Sequence, residues 1–261
     1  ALALAMDEPK RIADKLNADG WAVVQFGATA GDVWPEVLEE IERAKPLMAQ
    51  PPACGARRGD KEVELRQMPG GRNAWPMLNS LAQALSDFGL SLNSALSTQE
   101  GLRCRLNAYT DTKINVFGPG SECGPHIDRD DAASAEGAGP TGQRRVDPSD
   151  GRSYTKQDFL DFYRQDGLRR WEAAKPPTGG EDRRKITAIL YGNQEWRQGH
   201  GGEEYLLDHH AMEAGGGDKK AWRVVEPRAD RLLLFRSDRV LHKVSTARKQ
   251  RVSLTVSFLG F

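Results

Sequence analysis

From Arg251 to Phe258 the chain reads Arg-Val-Ser-Leu-Thr-Val-Ser-Phe, a two-residue alternation that a β-strand turns into two chemically distinct faces. Val252, Leu254, Val256 and Phe258 fall on one side, and Arg251, Ser253, Thr255 and Ser257 on the other. A barrel with the polar row inside leaves room there for a ligand and packs the apolar row on helices outside. A plain β-sandwich with the apolar row buried and the polar row wet fits the same alternation, so this strand alone leaves two architectures open.

A second stretch carries the chemistry. In Gly124-Pro125-His126-Ile127-Asp128, an extended backbone points residues two apart to the same side, so His126 and Asp128 can offer an imidazole nitrogen and a carboxylate oxygen to one point. His242, in Arg239-Val-Leu-His-Lys-Val244, is the candidate third ligand. Two His and one carboxylate on one face of an octahedron, with the other positions open, is the donor set of non-haem Fe(II) oxygenases. A His-x-Asp pair is common by chance, and a hydrogen-bonded pair with a lone interior His is the plainer reading. Asp208-His209-His210 is a rival cluster, but adjacent side chains on a strand point to opposite faces and cannot chelate together without a turn.

Bulk properties narrow the class. A length of 261 residues can bury a sizeable core. Basic and acidic residues balance at 37 each, so no electrostatic footprint for nucleic acid or an anionic membrane is present. Cys54, Cys104 and Cys123 are an odd number without zinc-type spacing, which suits a reducing compartment. The apolar runs are strand-length, and Ala1 to Met6 is too short for a signal peptide.

Taken in order, Glu8 to Asp19 has helical spacing and stops at Gly20, Trp21 to Phe26 reads as a strand, and Val33 to Met48 and Trp75 to Leu92 read as helices. Leu78, Leu81, Leu85 and Phe88 form a core-packing stripe on the last. Strands are expected at Lys113 to Phe117, Ile186 to Tyr191, Gly201 to Leu207, Trp222 to Pro227 and Arg231 to Phe235, with a turn at Asn193 to Trp196 and a hairpin-like loop at Gly215 to Gly217. The double glycine Gly201-Gly202 lets the chain pass close to a neighbour. Residues 129–183 form an insert whose first part is rich in Gly, Ala, Asp and Arg, while Thr155 to Tyr163 opens like a capping box and predicts a helix reaching toward Trp171. Asp150-Gly151 does not make a calcium loop, because the surrounding positions lack oxygen ligands. A lid or clamp over the site mouth and a solvated decoration are equal expectations for the insert.

The ordered set of His126-x-Asp128, Ile186 to Tyr191, Gly201-Gly202-Glu203, His242 and Arg251 resembles the prolyl 4-hydroxylase branch of the Fe(II)/2-oxoglutarate-dependent dioxygenases, most of all the intracellular oxygen-sensing (HIF-type) enzymes. Arg58-Gly59-Asp60-Lys61 adds to the likeness, since the same tetrapeptide opens a strand beside the substrate loop in those hydroxylases. The resemblance implies an α+β, mainly β fold: a double-stranded β-helix (jelly-roll, cupin-like) core buttressed by N-terminal helices. It implies one domain over residues 1–261, with buttress and first strands in 1–100 and the catalytic jelly roll in 101–261. The interval from His242 to Arg251 then favours the barrel over the sandwich.

By the same resemblance His126, Asp128 and His242 hold Fe(II). Arg251 grips the distal carboxylate of 2-oxoglutarate bidentately, as a planar fork can and Lys cannot; Tyr191 and Thr255 assist it. Arg184 and Trp196 are substrate contacts. Two departures stand out: Phe117 replaces a tyrosine donor, implying weaker or altered cosubstrate binding, and Ser257 replaces a barrel tryptophan, implying a roomier pocket. The implied reaction uses O2, with ascorbate as an auxiliary, hydroxylates a prolyl residue in a protein or peptide, and releases succinate and CO2. The expected protein is monomeric, cytoplasmic or nuclear, with no nucleic-acid or membrane partner. Alternatives are the same chemistry on a nucleobase or free amino acid, and a non-enzymatic cupin-like binder.

Overall fold

Among the described residues, eleven strands build two facing sheets with a helical layer over one of them, and two further strands form a separate antiparallel pair. The computed structural model describes residues 9–25, 33–50, 60–97, 104–128, 144–146, 148, 153–155, 159–160, 163–174, 183–208, 222–229 and 231–260. The strands are β1 (Trp21–Gln25), β2 (Lys61–Glu64), β3 (Leu106–Tyr109), β4 (Lys113–Phe117), β5 (Cys123–His126), β6 (Arg144–Val146), β7 (Ser153–Thr155), β8 (Arg183–Tyr191), β9 (Glu204–Asp208), β10 (Arg223–Val225), β11 (Arg231–Arg236), β12 (Val240–Val244) and β13 (Arg251–Gly260). The helices are α1 (Pro9–Ala18), α2 (Trp34–Ala44), α3 (Pro76–Ser91) and α4 (Gly167–Ala173).

The larger sheet runs β1-β11-β8-β13-β4-β2, with β3 also pairing β13, and the smaller runs β10-β9-β12-β5; their pairings are antiparallel. This is the mainly β, helix-buttressed jelly roll that the sequence implied. No helix among the described residues is long and apolar enough to cross a membrane.

The alternation in β13 sorts the two faces. Val252, Leu254, Val256 and Phe258 join one apolar cluster with Leu78, Leu81, Leu85 and Phe88 of α3, Val37 and Ile41 of α2, and Ile12 and Leu16 of α1. Neighbouring strands obey the same parity. Ile186, Ala188 and Leu190 of β8, and Leu232 and Leu234 of β11, face the helices. Ile189 and Tyr191, with Leu233 and Phe235, enter a second cluster between the sheets with Leu206, Val225 and Val240. Arg251, Ser253 and Ser257 are also buried, so both rows of β13 are covered. A sandwich that wets its polar row is thereby excluded.

Two contacts lock the buttress. The buried carboxylate of Glu40, on α2, accepts the backbone N–H groups of Met77 (3.0 Å) and Leu78 (2.8 Å), supplying from another helix the acceptor that the first turn of α3 needs. Gly89, on α3, lies flat against Phe258: a Cβ there would sit 1.9 Å from the ring.

The insert differs from expectation. Thr155 is the last residue of β7 and pairs with Arg144 of β6, so it caps no helix. Extended hydrogen bonding to β6 satisfies its backbone instead. Helical turns appear at 159–160 and 163, and regular helix only in α4. Phe159, Trp171 and Ala174, with Tyr163 beside them, form their own small core, and the guanidinium of Arg145 donates to the carbonyls of Trp171, Glu172 and Ala174 at the end of α4. The Gly215–Gly217 loop, Arg58 and Gly59, and all of residues 129–143 lie outside the described residues; β2 does begin at Lys61.

The Gly89–Phe258 contact makes a direct test of the buttress. Gly89→Ala is expected to cost about 1–3 kcal/mol through overpacking, read as a lowered denaturant midpoint. Gly89→Ala with Phe258→Leu should recover part of that loss; additive losses would contradict the contact.

Candidate metal centre

The pairing of β12 with β5 sets His242 directly opposite His126, with ring centroids 4.1 Å apart. β5 ends at His126, so Asp128 lies two residues beyond the strand rather than within it. The chain stays extended enough to return its carboxylate to the same point. Asp128 Oδ1 is 3.5 Å from His126 Nε2 and 3.7 Å from His242 Nε2. Among the described residues these three form the group whose ligand atoms lie within 4.8 Å of one another. His209 and His210 of the rival cluster lie outside the described residues.

Three details favour a cation over a plain His–Asp–His hydrogen-bonded set. The N···O separations exceed ordinary hydrogen-bond lengths of about 2.7–3.2 Å. Each imidazole has its Nδ1 beside a backbone carbonyl, Gly124 O at 3.0 Å for His126 and Val240 O at 3.2 Å for His242; Nδ1–H donating there leaves both Nε2 lone pairs aimed at the carboxylate. An octahedral face with bonds of about 2.1 Å has edges of about 3 Å, so small side-chain shifts bring all three donors into range. The residues present fit a divalent metal with open positions.

Asp128 is itself held in place. Its Oδ2 accepts the hydroxyl of Thr187 at 2.7 Å, and the Thr187 oxygen is 2.9 Å from the buried hydroxyl of Ser237. Burial alone would raise the Asp128 pKa. The contact with His126, the pull of His242, the Thr187 hydroxyl and the Arg184 guanidinium outweigh it and hold the carboxyl well below its ordinary range. It is therefore ionised, as a ligand must be. Phe235 packs 4.5 Å from the His242 ring, shielding it on the apolar side.

Along the interior row of β13, Ser257 pairs with Thr187, Thr255 with Ile189 and Ser253 with Tyr191, so the row runs from beside the Asp128 support down to Arg251. The Asn193 side chain clamps the next residue, accepting from Val252 N at 2.8 Å and donating to Val252 O at 3.2 Å. Gly202, at φ 76°, leaves room for the Arg251 stem, since a Cβ there would be 2.9 Å from Arg251 Cδ. The guanidinium lies between the rings of Phe117 (5.2 Å) and Tyr191 (5.1 Å). Its Nη2 donates to Glu204 at 2.8 Å, and the Tyr191 hydroxyl reaches the same carboxylate oxygen at 3.4 Å. Burial and the Glu204 charge push the Tyr191 phenol well above its ordinary pKa, so it acts as a donor.

The structure thus brings together His126, Asp128 and His242, and places Arg251, Tyr191 and Thr255 on one interior wall. Thr255 Oγ1 accepts from Asn115 at 3.1 Å. Arg184 is half-buried and near enough to act on Asp128. Trp196, expected as a substrate contact, is buried, its indole N–H donates to Gly201 O at 2.9 Å, and Arg228 covers its ring at 5.4 Å. Its indole tethers the double-glycine turn. Thr187, Ser237 and Glu204 were missed. Thr187 shares the inward parity of Tyr191, which is the signal that could have found it.

Comparison with known proteins supports the same class. Residues 150–258 match the model of the 2OG-Fe(II) oxygenase superfamily, a span that holds His242 and Arg251 but not His126 or Asp128. No curated protein sequence matches the chain. Its fold is similar to a Pseudomonas putida prolyl-4-hydroxylase (TM-score 0.60, 20% identity, 97% of this chain and 98% of that one). It is also similar to a Trichoplax adhaerens prolyl hydroxylase in complex with a hypoxia-inducible factor peptide (0.59, 19%, 96% and 88%). The epimerase SnoN of nogalamycin biosynthesis, a non-heme alpha-ketoglutarate-dependent enzyme, is similar too (0.54, 13%, 96% and 81%). At these identities the likeness is one of fold alone: a jelly roll found in prolyl hydroxylases and in enzymes of other chemistry.

Thr187→Val keeps the shape of the support but removes its hydroxyl. Divalent-metal affinity, measured by calorimetric titration with Mn(II), is expected to fall about 10–100-fold; an unchanged affinity would show that Thr187 does not position Asp128.

Proposed function

We propose that this protein is an Fe(II)- and 2-oxoglutarate-dependent dioxygenase that hydroxylates a prolyl residue in a protein or peptide, with residues 1–261 acting as one catalytic domain. The observation that carries the reading is the convergence of two Nε2 atoms and one carboxylate oxygen on one point, backed by the superfamily match. His126, Asp128 and His242 would hold the metal. Bound there, Fe(II) supplies oxygen activation coupled to oxidative decarboxylation of the cosubstrate.

The chain's own residues supply the rest. Thr187 and Ser237 keep Asp128 aimed, the two backbone carbonyls fix the imidazole tautomers, and Phe235 excludes water from the His242 side. Arg251 is the cation for the distal carboxylate of the cosubstrate, with Tyr191 and Thr255 as hydroxyl partners. Arg184 stands by Asp128 as the candidate substrate contact. The prolyl target draws support from the two prolyl hydroxylases of similar fold, one of them solved with a peptide. The fold similarity to SnoN keeps non-prolyl oxidations as the second reading.

Incubation with Fe(II), 2-oxoglutarate and a library of proline-containing peptides is expected to release succinate and add one oxygen atom to proline by mass spectrometry. His126→Ala should abolish both. Succinate release with no hydroxyproline would remove the prolyl target and keep the dioxygenase; no succinate under any condition would remove both.

A further inference from the structure

The cation assigned to the cosubstrate already has a carboxylate on it. Glu204, on β9, has a side chain that is 1% exposed, and its Oε2 lies 2.8 Å from Arg251 Nη2. The hydroxyl of Tyr191, the other group assigned to the cosubstrate, reaches the same oxygen. The Gly201–Gly202 segment brings the chain leading into β9 close past Arg251, and Gly202 has no side chain to hold it off. The fork is engaged but not filled. Among the described residues Nη1 makes a long contact to Ser253 Oγ at 3.4 Å, the Tyr191 hydroxyl also interacts with the guanidinium, and Nε is buried without a hydrogen-bond partner. The remaining guanidinium N–H leaves room for one further acceptor, which would have to share the cation with Glu204.

We propose that Glu204 is the residue that sets cosubstrate affinity and selectivity, an internal carboxylate standing where the distal carboxylate of 2-oxoglutarate must bind. The inference rests on the cosubstrate reading above. With Glu204 in place, Arg251 is already neutralised, and a second carboxylate shares one buried guanidinium with a like charge or displaces it. Like charges at such range oppose one another, each disfavouring the ionised form of its neighbour. A 2-oxo acid that lacks the second carboxylate meets no such opposition, since its 2-oxo acid end binds at the metal and its tail meets a neutral wall. 2-Oxoglutarate therefore gains little from its distal carboxylate in this protein, and Glu204 restrains it. The Phe117 ring, stacked on the guanidinium at 5.2 Å, offers no hydrogen bond in compensation.

The test is calorimetric titration of the Mn(II)-loaded protein with 2-oxoglutarate and with 2-oxobutyrate, for the unaltered chain, Glu204→Gln and Glu204→Leu. In the unaltered chain 2-oxoglutarate is expected to bind no more than about tenfold tighter than 2-oxobutyrate, and in either variant to tighten at least about tenfold while 2-oxobutyrate stays put. The ratio in the unaltered chain needs no variant and stands even where a substitution unfolds the protein. A preference of about a thousandfold or more for 2-oxoglutarate in the unaltered chain, or variants that bind it no better, would overturn the role of Glu204. If Mn(II) binds but neither 2-oxo acid does, in the unaltered chain or the variants, the cosubstrate reading itself fails and takes this inference with it.

Discussion

The register of β12 against β5 sets His242 opposite His126, and the rest of the site depends on it. A slip of one residue would turn every side chain of β12 to the other face, sending His242 outward and Lys243 toward the site. The apolar pattern guards against that slip. Val240 and Val244 are buried on the parity of His242, while Leu241 and Lys243 are partly exposed. Hydrophobic burial of the flanking valines and the placement of the imidazole are thus the same constraint, and metal affinity inherits its stability from ordinary packing.

The other end of the interior depends on electrostatics. Arg251 is clamped through Val252 by Asn193, stacked between two rings and paired with Glu204 in near-complete burial. Removing one partner of such a pair leaves an uncompensated buried charge, at a cost of about 3–5 kcal/mol. A charge this confined stays only where surrounding groups hold it. The same confinement makes the guanidinium a stiff, pre-oriented receptor for a carboxylate, and places Glu204 in direct competition for it.

Much of this was legible from residue order. His126 and Asp128 share a parity, His242 and Arg251 follow at telling positions, and the β13 alternation predicted which row would meet the helices; the cluster of Val252, Leu254, Val256 and Phe258 with α3 agrees. The rest required knowing which strands are neighbours. Thr187 supports Asp128 only because β8 passes the end of β5, and Glu204 meets Arg251 only because a glycine turn brings β9 against β13. Beyond the inward parity that Thr187 shares with Tyr191, neither proximity has a local signature. Trp196 shows the ambiguity of local chemistry: an indole near a glycine turn suits substrate stacking as well as the tether to Gly201 that it makes. Thr155 misled because a threonine that could cap a helix is chemically the same as one that ends a strand.

The central claim is that residues 126, 128 and 242 close around one metal ion. Anomalous diffraction at the iron edge, from crystals loaded with Fe(II) under anaerobic conditions, tests it most directly. The account predicts one strong peak bounded by His126 Nε2, His242 Nε2 and Asp128 Oδ1. A peak at any other cluster, or none at this point in crystals shown to contain stoichiometric iron, would contradict it.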